Sequence, residues 1–413
     1  MRHVIVGNGG AALSAIRAIR TKDRDGSIIV VSNEEEYAYS PVLTTYYIAG
    51  RIPRSGLFVA DCGFYDEHGV ETILGSPAVA IDTARQRVVL DNHQTVPYDT
   101  LLIATGGTPD AIDNIDDDVR PFVATLRTIS DAEKIIALAR DARHIVIVGA
   151  GLVSLQSLNA VYRPGVEITV LVGSRQLLSQ NVDPEAAGIV NEKVATLPGI
   201  RVSYGTTVRH IERRGNSAVV TLMSGEQLMA DLVIVGKGIT ANTQLTAGSG
   251  IKIDRAIVVD NYLRTSIPNV YAAGDVCEGK NRLTGMISPV PNWINAREQG
   301  RAAGLNMCGG ELEFAGSVQE NVTKLFGTII ATIGTVNNLP DDTTVLTHRD
   351  ARRDVYRKCV IAPDGRMIGA VVVNATRDVG VLRDMIVRGA QIDNLERVFA
   401  IGQVDVARSC LPG

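Results

Sequence analysis

Aromatic side chains are scarce in this 413-residue chain: they make up 4% of the sequence, and Trp293 is the only tryptophan. No apolar run approaches the roughly 18 residues that a membrane-spanning helix needs, and no cluster of basic residues is present. The first predicted strand begins at Arg2, which leaves no room for a signal peptide. We therefore expect a cytoplasmic protein with no membrane span and no nucleic-acid partner.

The chain also lacks the residue spacings of metal and dithiol sites. Its five cysteines form no C-x-x-C pair, and its six histidines show no metal-ligand spacing. We therefore expect no metal site, and we expect buried or surface thiols in a reducing compartment. The cysteines are Cys62, Cys277, Cys308, Cys359 and Cys410.

What the sequence does contain is a phosphate-binding turn at its start. The apolar segment "HVIVG" predicts a buried parallel strand, and "NGGAALSAIRAIR" continues with helical periodicity. Between them Gly7, Gly9 and Ala12 have the spacing G-x-G-x-x-A, with Gly10 and Ala11 in the same turn. Gly7 suits a tight turn, Gly9 allows a pyrophosphate to approach the backbone, and Ala12 allows close helix packing. This pattern predicts a dinucleotide site.

A second predicted strand, "SIIVVS", is followed by three consecutive glutamates. One of them could bind the adenosine ribose of a dinucleotide, and Glu34 is our candidate. A solvated run of charges explains these residues equally well.

The segment "RHIVIVGAGLVSLQSLNAV" repeats the first pattern with changes. Gly149 and Gly151 are kept, but Ser154 replaces the third small residue, at some cost in packing. The repeat predicts a second dinucleotide site under relaxed constraint.

Two further segments resemble signatures of the FAD-dependent pyridine nucleotide reductases: "YDTLLIATGGTP" and "TSIPNVYAAGDV". In that family the aspartate at the position of Asp275 binds the ribityl chain of FAD, although Asp275 could also be a helix N-cap. The resemblance assigns to FAD binding Gly7, Gly9, Gly10, Ala11, Ala12, Glu34, Val79, Ala104, Thr105, Gly106, Gly274 and Asp275.

The resemblance covers nearly the whole chain and implies an α/β fold with two Rossmann-like domains, the NAD domain being inserted in the FAD domain. It implies an FAD-binding domain at 1–110 and 241–317 and an NAD(P)-binding domain at 111–240. A C-terminal α+β interface domain would occupy 318–413. Its strands are predicted at "TIIATIGTV", "VYRKCVIA" and "MIGAVVVN", and its helix at "VGVLRDMIVRGA".

The second site departs from the family at two positions. Gln156 replaces a glutamate near the nicotinamide, and Val172 replaces a glutamate that holds the ribose 2′-hydroxyl. Arg175 could receive a 2′-phosphate, or it could be a surface cation. We rank three outcomes: NADH binding without the ribose contact, tolerance of NADPH, and loss of nucleotide binding. The residues assigned to NAD are Gly149, Gly151, Leu152, Val153, Gln156, Val172 and Gly238.

The segment "YAYSPVLTTYYIAG" indicates the branch of the family, because Val42 occupies the position of the redox cysteine of the NADH oxidases. The segment is similar to that of ferredoxin and rubredoxin reductases and of the nitrite reductase flavoprotein. The resemblance puts Pro41, Trp293 and Phe326 near the flavin, although Trp293 could equally be a core aromatic. No catalytic acid, base or nucleophile is expected, since flavin and nicotinamide supply the chemistry.

The resulting hypothesis is an electron-transfer flavoprotein that exchanges electrons with an iron–sulfur protein or subunit. Its expected cofactors are FAD and NAD, with NADP as an alternative to NAD. It would be part of a hetero-oligomeric complex or a homodimer. The resemblance extends to the flavoprotein subunits of tungsten aldehyde oxidoreductase and phenylglyoxylate dehydrogenase complexes. Two alternatives stay open: a stand-alone NADH oxidase or reductase of a small molecule, and a non-catalytic FAD-bearing subunit with a degenerate NAD site.

Overall fold

The computed structural model describes residues 1–391, which divide into two compact units. Cys410 lies outside the described residues. Unit 1 consists of Met1–Leu43, Pro53–Thr108 and Ile239–Val318. Unit 2 consists of Thr44–Ile52, Pro109–Gly238 and the described residues from Gln319 onward.

The α-helices of the described residues are α1 (Gly10–Lys22), α2 (Thr44–Ile48), α3 (Cys62–Glu67), α4 (Ile129–Asp141), α5 (Leu152–Val161), α6 (Pro184–Ala195), α7 (Trp293–Met307) and α8 (Val379–Arg388). The strands of the first half are β1 (Arg2–Val6), β2 (Ser27–Val31), β3 (Val70–Ile73), β4 (Ala78–Asp82), β5 (Arg87–Leu90), β6 (Thr95–Pro97), β7 (Thr100–Ile103), β8 (Gly107–Pro109), β9 (Val123–Ala124), β10 (His144–Val148), β11 (Glu167–Val172), β12 (Ile200–Tyr204) and β13 (Val208–Arg214). Those of the second half are β14 (Ser217–Leu222), β15 (Gln227–Ala230), β16 (Leu232–Val235), β17 (Ile239–Ala241), β18 (Ile257–Val258), β19 (Val270–Ala272), β20 (Cys277–Lys280), β21 (Ile287–Ser288), β22 (Glu320–Leu325), β23 (Thr328–Gly334), β24 (Thr344–Asp350), β25 (Val355–Ile361) and β26 (Met367–Val373).

Unit 1 is built on a parallel five-stranded sheet in the order β19-β7-β1-β2-β3. Its central strand, β1, buries Val4, Ile5 and Val6, as expected for a continuous apolar run with helices or loops on both faces. An antiparallel meander of β4, β5 and β6 follows β3 along the chain. The predicted strand–turn–helix at the start of the chain is confirmed.

Unit 2 contains a second parallel sheet, in the order β12-β11-β10-β16-β9. On one side of the central strand β10 lie the next two strands of the chain, β11 and β12, as β2 and β3 lie beside β1 in unit 1, while the far edge strand β9 precedes β10 in the chain and β19 of unit 1 comes last. An antiparallel meander, β13-β14-β15, again follows the third strand. The repeated sequence therefore specifies a repeated Rossmann-like fold, and the predicted α/β class is confirmed.

The C-terminal part of unit 2 is an antiparallel sheet in the order β22-β23-β26-β25-β24, with α8 after β26. The predicted strands correspond to β23, β25 and β26, and the predicted helix to α8. Residues of this sheet, such as Leu325 and Val371, share one hydrophobic cluster with Ile145 and Leu158. This shared core explains why the structure groups the segments predicted as NAD(P) and C-terminal domains in one unit; their division into separate domains stays a prediction.

Two helices of unit 1, α1 and α7, pack backbone to backbone. A Cβ atom added at Gly300 would lie 2.1 Å from the carbonyl oxygen of Ala11, and one added at Gly304 would lie 2.6 Å from that of Ala15. Only glycine permits this approach, because real Cβ contacts are longer than 3.0 Å. The contact fixes the first turn of α1 against α7, and so positions the candidate phosphate-binding turn.

Candidate functional site

The turn between β1 and α1 has the geometry of a phosphate cradle. Gly7 has φ +111°, and a Cβ there would lie 2.1 Å from the carbonyl oxygen of Ala104. Gly9 is the N-cap of α1; it offers no side-chain cap, and a Cβ there would meet nothing within 4 Å. The first turn of α1 carries no carboxylate. Free N–H groups, open space and the positive end of the helix dipole fit an anionic phosphate.

The other residues of this turn are held by aromatic side chains. The hydroxyl of Tyr65 donates a hydrogen bond to Oδ1 of Asn8 at 2.6 Å. The indole of Trp293 packs on Gly10, whose added Cβ would lie 3.1–3.2 Å from three ring carbons. Gly10 therefore makes room for Trp293, a role that the motif alone did not reveal. Ala11 and Ala12 are buried in the core beneath the turn.

The acidic run after β2 lies as predicted at the carboxyl end of that strand. The half-buried Glu34 accepts a hydrogen bond from the Tyr39 hydroxyl at 2.7 Å, while Glu35 is exposed. This partner distinguishes Glu34 from a simple solvated charge, and its role toward a ribose stays a prediction. Val79, on β4, is 50% exposed and available to contact a ligand.

The Thr105–Gly106 turn after β7 is clasped by Asn242, a residue that sequence analysis missed. The Nδ2 of Asn242 donates to the Thr105 carbonyl at 2.9 Å, and Oγ1 of Thr105 donates to the Asn242 carbonyl at 2.8 Å. The backbone N–H of Asn242 also donates to the Gly106 carbonyl at 3.0 Å. Gly106 has φ +65°, which favours glycine. These bonds fix the turn that follows the central sheet.

The Gly274–Asp275 turn after β19 is held by another residue that the motifs did not reveal, Gln299 of α7. The N–H of Gly274, at φ +86°, donates to Oε1 of the buried Gln299 at 2.7 Å. The Nε2 of Gln299 donates to Oγ of Ser317 at 3.2 Å. Asp275 is half-buried after this turn. A carboxylate in this position can accept a hydrogen bond from a sugar hydroxyl.

These features of unit 1 fit FAD. The open backbone at Gly9 suits a pyrophosphate, and the carboxylates of Glu34 and Asp275 suit the hydroxyls of a ribose and of a ribityl chain. All of the residues belong to the single compact unit built on the β1 sheet.

The turn between β10 and α5 in unit 2 repeats the first cradle. Gly149 has φ +106°, and its added Cβ would lie 2.3 Å from the Gly236 carbonyl oxygen. Gly151 is an exposed N-cap with open space around it. The hydroxyl of Ser154, fully buried, donates to the Gly236 carbonyl at 3.1 Å. The hydroxyl of Ser154, the residue that departs from the motif, therefore has a hydrogen-bond acceptor. The turn keeps the geometry of the first cradle and fits a second dinucleotide.

The remaining residues assigned to NAD lie in unit 2 around this turn. Leu152 and the exposed Val153 form the start of α5. The Nε2 of Gln156, one turn later, donates to Oγ1 of Thr323 at 2.8 Å. Gly238 has φ +140°, and its added Cβ would lie 2.7 Å from Oδ2 of Asp110.

The place of Val172 beside a nucleotide ribose stays a prediction. This residue ends β11 as predicted, but its side chain is fully buried in the core of unit 2. The physical reason is that β11 is an inner strand of a parallel sheet covered on both faces, so that Leu171 and Val172 point to opposite faces and are both buried. The exposed residues at this edge are Gly173 and Arg175. No carboxylate follows β11 before Asp183.

The three residues predicted near the flavin belong to different units. Pro41 opens a 3₁₀ turn and Trp293 opens α7, both in unit 1. Phe326 in unit 2 occupies the hairpin turn between β22 and β23 at φ +50°, uncommon for a bulky residue. Its N–H donates to Oδ1 of Asn159 at 3.1 Å, which holds the strained turn. Proximity of the three to a flavin stays a prediction.

Three thiols of the described chain, those of Cys277, Cys308 and Cys359, are poorly suited to nucleophilic chemistry. Burial raises the pKa of Cys277 and of Cys359 to about 12, and it raises the pKa of Cys308. Val42, which the sequence resemblance aligns with a redox cysteine, is 52% exposed. Within residues 1–391 no three His, Cys, Asp or Glu side chains converge to hold a metal ion. None of the described helices is long and apolar enough to cross a bilayer.

Comparison with known proteins agrees with this geometry. The profile of the family "Pyridine nucleotide-disulphide oxidoreductase" matches residues 1–300. The chain is 30% identical to the NADH-dependent phenylglyoxylate dehydrogenase subunit epsilon of Aromatoleum evansii, over 99% of this chain and 97% of the relative. It is 30% identical to the ferredoxin–NAD(+) reductase component of the anthranilate 1,2-dioxygenase system of Burkholderia cepacia, over 94% and 95%. A solved NAD-dependent persulfide reductase from A. fulgidus is 29% identical with a TM-score of 0.87, over 96% of this chain and 78% of that one.

Proposed function

Since this chain belongs to the pyridine nucleotide-disulphide oxidoreductase family and is an FAD-dependent NAD(P)H oxidoreductase, we propose that it carries electrons between NADH and an iron–sulfur protein. The observation that carries this proposal is the pair of matched turns at Gly7 and Gly149, in a chain where burial raises the pKa of the Cys277 and Cys359 thiols to about 12. The two turns would bind the cofactors that supply hydride chemistry, and the protonated Cys277 and Cys359 leave an outer acceptor to receive the electrons.

The residues of unit 1 bind and orient the flavin dinucleotide in this proposal. FAD bound there would supply the exchange between the two-electron hydride of NADH and the single electrons that an iron–sulfur acceptor requires. Gly9 and the start of α1 hold the pyrophosphate, and Asp275 accepts a hydrogen bond from the ribityl chain. Gln299 keeps the Asp275 turn rigid through the Gly274 N–H. No side chain is required as an acid or a base.

The second cradle binds NADH in preference to NADPH by a narrow margin. No carboxylate follows β11 to accept a hydrogen bond from a ribose 2′-hydroxyl, a contact worth about 1.5–3 kcal/mol. The same absence removes the charge repulsion that excludes a 2′-phosphate. Arg175 is exposed at this edge and can pair with such a phosphate.

We further propose that the chain is the NAD-reacting subunit of a larger cytoplasmic oxidoreductase. The relative from Aromatoleum evansii is named as a dehydrogenase subunit, and it matches this chain over nearly the full length of both. A homodimer that serves a separate ferredoxin is the alternative assembly, suggested by the named reductase component of the dioxygenase system.

A stand-alone reductase of a small molecule is the second candidate function. It is favoured by the likeness to an NAD-dependent persulfide reductase. The exposed Val42 weighs against thiol chemistry of this kind, because the segment offers no sulfur at that position. A non-catalytic FAD-bearing subunit is the third, and the intact Gly149 turn weighs against it.

Anaerobic stopped-flow spectroscopy of the purified flavoprotein tests the proposal. NADH is mixed with the protein, and the reduced protein is then mixed with an oxidised iron–sulfur protein from the same cells. We expect rapid bleaching of the flavin absorption by NADH, followed by reduction of the iron–sulfur centre. A flavin that NADH does not bleach would support the non-catalytic subunit. A reduced flavin that reacts with oxygen or a persulfide, but with no iron–sulfur protein, would support the stand-alone enzyme.

A further inference from the structure

The outer sides of α1 and α7 enclose a groove of about 470 Å³ in unit 1. The two helices touch along their inner sides through Gly300 and Gly304, so the groove lies along the solvent side of a rigid helix pair. It starts at Ile294, the residue after Trp293, whose indole packs on the phosphate-binding turn at Gly10. One end of the groove therefore adjoins the dinucleotide cradle.

The groove is basic although the chain is acidic. Arg17 of α1 and Arg297 and Arg301 of α7 line it with exposed guanidinium groups, and Glu298 contributes the single carboxylate among the lining residues. The lining residues therefore carry a formal charge of +2, against −4 for the whole chain. A basic concavity on an acidic protein attracts an acidic partner to one place on its surface.

Arg17 is pre-organised by a ring contact, and apolar side chains lie among the polar and charged residues that line the groove. The Arg17 guanidinium lies 4.8 Å from the centroid of the Phe64 ring, a cation–π contact that restricts its rotamers. Arg297 and Arg301 are separated by one helical turn and therefore project from the same face of α7. Ile294 is 44% exposed, and Leu305 is half-buried at the other end. Apolar contact area framed by charges is the composition of a protein docking surface.

We propose that this arginine groove is the docking surface for an acidic face of the iron–sulfur electron acceptor. This docking proposal rests on the proposed function. It adds the place where the partner binds and the charged residues that bind it. The guanidinium groups pair with carboxylates of the partner, while Ile294 and Leu305 supply the apolar contacts. Docking at this groove brings the acceptor beside Trp293 and the turn that holds the dinucleotide.

The test compares two electron acceptors for one charge-reversed protein. In Arg297→Glu/Arg301→Glu, stopped-flow spectroscopy measures transfer from the NADH-reduced flavoprotein to an acidic [2Fe–2S] ferredoxin and to the neutral quinone menadione. We expect the second-order rate constant for the ferredoxin to fall at least about tenfold at low ionic strength, and its salt dependence to flatten. The menadione rate should be unchanged. Arg24→Glu, the same charge change at an exposed arginine that does not line the groove, should leave both rates near wild type.

Each contrary result has its own meaning. An unchanged ferredoxin rate in the double variant, with a transfer-competent wild type, overturns the docking surface and leaves the proposed function standing. A wild type that reduces menadione but no iron–sulfur protein overturns both. If the double variant changes the oligomeric state in size-exclusion chromatography, the groove is an interface between copies of this chain, and the docking proposal is also overturned.

Discussion

At the scale of single residues, glycines that share a motif have different physical roles. Gly7 is required by the protein itself, because its φ is positive and the Ala104 carbonyl occupies the place of a Cβ. Gly9 has an extended backbone at φ −105° and open space where its Cβ would lie. The space at Gly9 is thus available to the ligand. Replacing Gly7 should therefore affect folding, whereas replacing Gly9 should affect ligand binding.

We predict that Gly9→Ala lowers FAD affinity while the unfolding temperature of the apoprotein stays near wild type. The small loss at a helix N-cap is offset by the reduced entropy of the unfolded chain, each about 0.5 kcal/mol. Gly7→Ala, in contrast, should destabilise the apoprotein itself. Flavin fluorescence titration and thermal unfolding of both apoproteins measure the two effects. Equal destabilisation by both substitutions would show that Gly9 has a structural role only.

A second prediction at this scale concerns Arg175 and the choice of nucleotide. Arg175→Ala should raise the KM for NADPH several-fold and leave the KM for NADH unchanged, because only NADPH carries a 2′-phosphate. Arg140→Ala, which removes an exposed arginine from the end of α4, is the matched control. Steady-state kinetics with both nucleotides gives the answer. A parallel change in both constants would mean that Arg175 does not meet the 2′ position.

The family pattern suggests Val172→Glu as a way to strengthen NADH binding. This variant is less informative than Arg175→Ala about the choice of nucleotide. The side chain at 172 is fully buried, so a glutamate there would place an uncompensated carboxylate in the core of unit 2. Such burial costs several kcal/mol unless the carboxylate finds a partner. Loss of stability would then mask any change in nucleotide preference.

At the scale of elements, the contact between α1 and α7 ties the phosphate-binding turn to the rest of unit 1. Gly300→Ala should force the helices apart, because its Cβ would lie 2.1 Å from the Ala11 carbonyl oxygen. We expect a loss of about 1–3 kcal/mol, typical of overpacking, together with weaker FAD binding. Gly188→Ala, inside α6 with nothing within 4 Å of the added Cβ, should be neutral or stabilising.

Denaturant unfolding of the two holoproteins and apoproteins measures this difference. If Gly300→Ala is as well tolerated as Gly188→Ala, the close helix contact does not hold the turn.

The start of β1 and the end of α1 are joined through the buried side chain of His3. His3 Nε2 lies 3.1 Å from Oδ2 of Asp23, and Nδ1 lies 2.7 Å from Oγ1 of Thr100. Burial lowers the pKa of His3, although Asp23 acts in the opposite direction. The Gly26 N–H, and then His3, lower the pKa of Asp23 to about 2. Neutral His3 therefore donates to Asp23 and accepts from Thr100.

We predict that the free energy of unfolding decreases as the pH falls below about 6.5, where the unfolded histidine gains a proton that folded His3 does not bind. A second loss should follow as the pH falls from about 4 toward the lowered pKa of Asp23. His3→Gln should flatten the dependence between pH 7 and pH 5. Urea unfolding at a series of pH values gives these slopes. An unchanged slope in the variant would exclude His3 as the titrating group.

At the scale of the whole molecule, the sequence predicts what depends on local pattern. The strand–glycine–helix segments at Gly7 and Gly149 predict two dinucleotide cradles, because the spacing of a few neighbouring residues determines the turn. The same logic holds for the strands after Gln319, whose β-branched runs are short and bounded by turn residues.

What the sequence could not predict depends on contacts between distant segments. Gln299 holds Gly274 and Asn242 holds Thr105 through the folded sheet, and neither lies in a recognised motif. The sequence predicts some packing cost for Ser154, and the hydrogen bond from its hydroxyl to the distant Gly236 carbonyl depends on the folded chain. The one signal available for Gln299 was its place on the buried face of α7.

The last prediction concerns all the thiols together, since they are spread over both units and beyond the described residues. A nucleophilic cysteine needs a thiolate, and the pKa of about 12 for Cys277 and Cys359 keeps those sulfurs protonated at neutral pH. The exposed Cys62 starts α3, and Cys308 lies partly buried near His3. A protein with all five cysteines replaced by Ser or Ala should therefore transfer electrons from NADH to menadione within about twofold of wild type. Flavin content and circular dichroism serve as controls for folding. A loss beyond about tenfold in a folded, fully flavinated protein would show that a thiol takes part in turnover, and restoring the cysteines one at a time would identify it.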